Sequence, residues 1–143
     1  MKCIVFEKNK PESIKEYNDL TKTNIPCLML FHWKDCMQCH LFRPTWESIK
    51  NKLELNPNIG LIEVEYSDKD ALPDTTMKKI MFFPTIFIIK KGKIIDSFNK
   101  IRTEENIIEF IMAYVNKSKK PKIDTKSKSI KQKPKVKTPK DKK

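Results

Sequence analysis

Cys27-Leu28-Met29-Leu30-Phe31-His32-Trp33-Lys34-Asp35-Cys36-Met37-Gln38-Cys39-His40 joins a continuous apolar run to two thiols three positions apart. The run Cys27 to Phe31 has the length and continuity of a fully buried strand. Beyond the thiols, Trp46, Ile49 and Leu53 recur at helical spacing. Strand, dithiol and helix in this order leave three chemistries open. Cys36 and Cys39 can close into a small disulfide ring and open again. With His40 they spell C-x-x-C-H, the attachment motif of a c-type haem. The pair is also half of a metal site.

The flanking segments supply the rest of a domain. Residues 4–6 are a short apolar strand candidate, and Pro11-Glu12-Ser13-Ile14 starts a helix with Ile14, Tyr17 and Leu20 on one face. Pro44 should kink or interrupt the helix after the dithiol near its first turns. Residues 59–66 read as a strand, and 70–81 as a short helix with Pro73 near its start. Phe83-Pro84-Thr85 leads into a second fully apolar strand, Ile86-Phe87-Ile88-Ile89. Lys90-Lys91-Gly92-Lys93 is a hairpin turn in which Gly92 supplies the positive φ, and 94–98 is the return strand. Thr103 caps a last helix with Glu104 and Glu105 in its first turn and Ile107, Phe110, Ile111 and Tyr114 as its apolar stripe. The order β-α-β-α-β-α-β-β-α predicts an α/β fold whose sheet is covered on both faces, with 27–31 and 86–89 as central strands.

Charge is divided unevenly along the 143 residues. Residues 117–143 hold 13 lysines and two aspartates, whereas 1–116 hold 17 basic and 16 acidic residues, so the net +12 belongs to the end of the chain. One domain is expected at 1–116 and a disordered Lys-rich tail at 117–143. Lys131, Lys133, Lys135 and Lys137 in that tail are expected to make non-specific, salt-sensitive contacts with nucleic acid or another polyanion. With no aromatic residue there, base stacking is excluded.

The N-terminus meets charge at once, without an apolar stretch long enough for a signal peptide, and no run approaches the roughly 18 apolar residues of a membrane span. An intracellular, cytoplasmic address and a monomer are expected. In that reducing setting Cys3 and Cys27, each in an apolar run, read as buried small hydrophobes rather than a disulfide framework. The abundance of Lys, Ile and Asn with two glycines suits an AT-rich coding sequence. A large DNA virus, a protist or an AT-rich bacterium fits that bias, the first adding packaging in a virus particle.

A helix that begins after Cys36 places its sulfur at a helix N-terminus, where unpaired N–H groups and the dipole favour a thiolate. Asp35 opposes that charge, and His32, Lys34 and His40 tip the balance. Cys36 is the better attacker, and Cys39, one turn into the helix, is the natural resolver.

Further spacings carry a resemblance. Phe31 stands five residues before Cys36, Pro44 five after Cys39, and Pro84-Thr85 precedes four apolar residues and Lys90-Lys91-Gly92. On these motifs residues 1–116 resemble the thioredoxin family. The resemblance implies a thioredoxin-like fold, a central mixed β-sheet flanked by helices. It implies a cis Pro84 beside the dithiol, where the backbone of Phe83 pairs with a substrate peptide, and a substrate groove at Phe83, Pro84 and Thr85. Trp33, near the dithiol in sequence, either faces that groove or packs against the neighbouring loop or core. The resemblance implies thiol–disulfide exchange on protein disulfide substrates, a redox-active Cys36–Cys39 disulfide, no metal, and no cofactor beyond an unidentified electron donor.

The chain also departs from the family's pattern. Asp35 stands where the family has tryptophan, Met37-Gln38 where it has Gly-Pro, and Lys100 where it has glycine. Leu30 takes the place of the buried acid that assists proton transfer at the second cysteine, and His40 is a candidate stand-in. The rival readings are a non-catalytic adaptor domain, haem held by His40 with Met77, Met81 or Met112 as second ligand, and zinc on Cys36, Cys39 and His40.

Overall fold

Five strands share one sheet in the order β1-β3-β2-β4-β5. They are β1 Lys2–Phe6, β2 Cys27–His32, β3 Gly60–Glu65, β4 Thr85–Lys90 and β5 Lys93–Ser97. A computed structural model of the chain describes residues 1–119. β3 lies parallel between β1 and β2, and β4 runs antiparallel to β2 and β5. The sheet is therefore mixed, with β2 at its centre. Helices α1 Pro11–Thr21, α2 Met37–Leu53, α3 Thr75–Lys78 and α4 Glu104–Lys119 cover it, and a 3₁₀ helix, Tyr66–Ala71, follows β3.

The strand alternation builds two cores. Cys27, Met29 and Phe31 of β2 join Ile62, Val64 and Phe87 in a cluster closed by Tyr17 and Leu20 of α1 and Met77 of α3. Leu28 and Leu30 face the other way, with Leu61 and Ile88, under Trp46 and Ile49 of α2 and Ile107 and Ile111 of α4. This three-layer α/β arrangement is the predicted fold class. It sets the start of α2 at the carboxyl end of β2, where the thiols stand.

Several boundaries and one burial expectation are corrected. The helix expected over 70–81 is split. Pro73 lies between the 3₁₀ helix and α3, and α3 has only four residues. Pro44 does not interrupt α2, which continues through it. On α4, Thr103 Oγ1 accepts from the Asn106 N–H as expected of a cap. There Ile107, Ile111 and Val115 are buried while Phe110 and Tyr114 are half-buried. The helix runs from Glu104 to Lys119. The hairpin turn has two positive φ angles, 53° at Lys91 and 79° at Gly92, the pairing of a two-residue hairpin loop. Cys27 is buried, but Cys3 is exposed. β1 is an edge strand, and Ile4 and Phe6 take its core positions, which turns Cys3 to the other face.

Candidate active site

Cys36 is the N-cap of α2. Its backbone is extended (φ −103°, ψ 112°), and its sulfur accepts the Cys39 N–H at 3.1 Å. A sulfur thus takes the position usually held by a hydroxyl or carboxylate oxygen, facing N–H groups that the helix cannot itself satisfy. On its other side the Cys36 thiol reaches the Phe83 carbonyl at 3.4 Å. The Phe83–Pro84 peptide is cis and Pro84 is buried, so this expectation holds. The Thr85 hydroxyl donates to the Phe82 carbonyl, fastening the turn before β4. Both cysteines are free thiols.

Cys39, in the first turn of α2, is buried. Burial pushes its thiol up to about 12, helped by the hydrogen bond with Cys36; the Trp33 backbone and the positive charge of Arg102 pull the other way. The two sulfurs therefore differ in access. Cys36 is half-buried at the helix end, and Cys39 is a covered, protonated thiol.

The loop before Cys36 is tied down at one residue from two directions. The Lys34 N–H donates to Glu65 Oε2 at 2.9 Å, and the Lys34 carbonyl accepts His40 Nε2 at 2.5 Å. A carbonyl only accepts, so this Nε2 carries the proton. Although burial opposes it, the bonds from Ser67 and Lys34 hold the Glu65 carboxyl below its usual range. His40 thus anchors the loop. Asp35 is exposed beside it.

Trp33 packs on Tyr66 and Phe83 with ring centroids 5.6 and 6.3 Å apart, and Tyr66 meets Phe83 edge-on at 5.5 Å. Trp33, Phe83, Pro84 and Thr85 are thus gathered at one end of the sheet with Cys36. Lys69 is buried with its ammonium 5.2 Å from the Tyr66 ring centroid and bonded to the Lys78 carbonyl. It couples the 3₁₀ helix to the end of α3, just ahead of the cis proline.

Tyr66, Lys69, Glu65 and Arg102 were not singled out from the sequence. Glu63 was also missed, although it is a charge inside the apolar run Ile59-Gly60-Leu61-Ile62-Glu63-Val64, which is itself a signal. Nothing in the sequence near Arg102 points to the dithiol. The β4–β5 hairpin brings it there through chain return.

The haem ligands are not assembled. Met77 is buried in the α1-side core with its sulfur on the Tyr17 hydroxyl, Met112 meets Asn56, and His40 turns to Lys34. Cys36, Cys39 and His40 do not form a group that could hold a metal ion. Lys131, Lys133, Lys135 and Lys137 lie outside the described residues. No helix among the described residues is long and apolar enough to cross a membrane.

The comparisons with known proteins agree with this fold. The thioredoxin family model matches residues 9–113. Protein disulfide-isomerase tigA of Aspergillus niger is 24% identical over 110 residues, 73% of this chain and 31% of that protein. Bloodstream-specific protein 2 of Trypanosoma brucei brucei is 26% identical over 118 residues, 77% of this chain and 23% of that protein. The chain thus spans less than a third of the length of these curated relatives. The solution structure of the first thioredoxin domain of mouse Protein disulfide-isomerase A4 superposes with a TM-score of 0.64 at 22% identity, covering 86% of this chain and 82% of that one. At that identity the superposition speaks for the fold alone. With the family model spanning most of the described residues and the cis proline set against a helix-capping C-x-x-C, the chain belongs to the thioredoxin family.

Proposed function

We propose that this protein exchanges disulfides with protein substrates through Cys36 and Cys39. One observation carries the reading. The Cys36 sulfur is presented at a helix N-terminus, accepting an N–H, while its partner is buried one turn inside. That contact strengthens as the sulfur takes on negative charge, as it must to attack. The Cys36 thiolate attacks one sulfur of a substrate disulfide, and the other substrate sulfur leaves as a thiolate. Cys39, once deprotonated, attacks the Cys36 sulfur of the mixed disulfide and expels the second substrate thiolate. Two electrons pass to the substrate and Cys36–Cys39 closes as a disulfide. An external electron donor then restores the dithiol.

In this reading Trp33, Phe83 and Thr85 line the groove, buried Pro84 shapes it, and His40 and Glu65 position the loop rather than relay protons. The name of the Aspergillus niger relative, a protein disulfide-isomerase, supports the substrate class. The test is disulfide reduction in insulin by the full chain with dithiothreitol as donor, together with two variants. Cys39→Ser, assayed without dithiothreitol, should accumulate a mixed disulfide through Cys36, and Cys36→Ser should bring insulin reduction down to the rate of dithiothreitol alone. Reduction by Cys36→Ser faster than dithiothreitol alone refutes the proposal. The reduction potential of the pair then assigns direction: well below the glutathione poise marks a reductant, above it an oxidant or isomerase.

A further inference from the structure

The dithiol opens onto a face with exposed apolar side chains. Trp33, Met37, Leu41, Met81, Phe82 and Ile101 are six of the nine large hydrophobic residues exposed among the described residues, and all but Trp33 are between 62 and 84% exposed. Single exposed apolar residues are ordinary, but a cluster around one site is a surface. Met37 follows Cys36, Phe82 precedes the residue whose carbonyl meets Cys36, and Trp33 packs on Phe83. Ile101 and Leu41 line one cavity of about 380 Å³ with Gln38, Lys100 and Arg102.

The positive charge beside this surface is concentrated on the Lys100-Ile101-Arg102 loop, whereas Lys34 shares its loop with Asp35 and holds Glu65 at its N–H. Lys34, Lys100 and Arg102 are exposed, and none forms an ion pair among the described residues. Residues 1–116 are close to neutral, with 17 basic and 16 acidic residues, so the local excess does not follow from composition.

We propose that this face selects, as substrate, an extended cystine-bearing segment of another protein that is apolar beside its cysteine and acidic beyond it. The inference rests on the dithiol reading above. Apolar neighbours of the substrate cysteine cover Met37, Phe82 and Ile101, and carboxylates meet the Lys100-Ile101-Arg102 loop. The chain's own segment 117–143, with 13 lysines and two aspartates, has the wrong charge for this surface.

The experiment uses the full chain carrying Cys39→Ser, which isolates the attack step, with adduct formation at Cys36 followed by mass spectrometry. Three peptides carry one cysteine flanked by leucines and joined to mercaptoethanol. They differ only in two distal aspartates, asparagines or lysines, and hydroxyethyl disulfide is the uncharged reference. The aspartate peptide should react about tenfold faster than the lysine peptide at low salt. That ratio should shrink in high salt and again with Lys100→Glu. Equal rates, or a preference for the lysine peptide, overturn the substrate class while reaction with hydroxyethyl disulfide upholds the dithiol. An aspartate preference untouched by Lys100→Glu places the attraction elsewhere and also overturns it. No reaction at Cys36 with any probe removes the dithiol reading and this proposal together.

Discussion

Glu63 stands opposite Leu30 in the β2–β3 register, so the buried carboxylate of this sheet lies on the strand beside the one that leads to the dithiol. Leu30 is 2% exposed and Glu63 5%. Trp46 Nε1, Arg43 Nη1 and Lys50 Nζ donate to Glu63 at 2.9, 3.0 and 3.1 Å. All three donors belong to α2, one before Pro44 and two after it. Pro44 has no N–H to give the preceding turn, and Glu63 grips the helix on both sides of that gap. Its charge is felt at Cys3, whereas the charges acting on Cys39 are those of Cys36 and Arg102. The acid is therefore a fastener of α2.

Glu63→Gln keeps an acceptor for the buried Trp46 N–H and should cost about 1–2 kcal/mol in urea unfolding at pH 7, because Arg43 and Lys50 are partly solvated. Glu63→Ala orphans that N–H and should cost about 3 kcal/mol. Burial opposes the charged form, yet Trp46, Arg43 and Lys50 hold the Glu63 carboxyl below its ordinary value of 4.5. The stabilisation is thus complete above that value and lost as pH falls through the lower folded one. The gap between wild type and Glu63→Gln should narrow in acid.

Gly60→Ala should destabilise by about 2 kcal/mol, since an added Cβ would stand 2.7 Å from Cys27 Sγ and 2.8 Å from Leu20 Cδ2. In a Cys27→Ala background one of those contacts is gone. The same substitution should then cost at least about 1 kcal/mol less, a coupling that a double-mutant cycle in urea measures.

Lys91→Gly should raise stability by a few tenths to about 1 kcal/mol, because Lys91 holds a φ of 53° that glycine adopts freely. Gly92→Ala should lower it by about 1 kcal/mol, through the φ of 79°. Thermal unfolding of the two variants side by side checks the opposite signs.

The elements legible in the sequence were those with strong periodicity or fixed punctuation. β2 and β4 announced themselves as unbroken apolar runs and the turn at Gly92 as a hairpin, whereas the place of Pro84-Thr85 beside the dithiol was implied by the family resemblance. The segment 70–81 misled because Pro73 divides helical pattern from helical pattern, and tertiary contacts decided which side closed a turn. Cys3 misled because an apolar run does not say that its strand is at an edge. The site's electrostatics were the least legible part. Glu65 and Arg102 act across 31 and 63 residues of chain on Lys34 and Cys39, and only the fold brings them there. Leu30 shows in the sequence that a carboxylate is missing from β2, but that the buried acid Glu63 lies opposite it and fastens α2 needed the register.

Resolution of a mixed disulfide should accelerate with pH. Burial is the first cause that pushes the Cys39 thiol up to about 12. Below that value its thiolate fraction grows about tenfold per pH unit. Single-turnover release of substrate from a pre-formed Cys36 mixed disulfide should follow that slope between pH 7 and 9. A flat profile would show that another group takes the proton first.

Arg102 should speed that step. It is exposed in the β5–α4 loop, and its positive charge favours the Cys39 thiolate that burial disfavours. Arg102→Ala removes the favourable charge and should slow resolution about threefold at low ionic strength, and Arg102→Glu about tenfold, because a like charge replaces an opposite one. Arg102→Lys should recover most of the rate. A purely structural role for the loop would slow all three variants alike and would ignore salt. The electrostatic role orders them by charge, and the order compresses as salt screens an exposed group. The measurement is the same single-turnover release at pH 8, at low and at high salt, with the Cys39 pH profile recorded for each variant. The profile should move to higher pH for Arg102→Ala and further for Arg102→Glu.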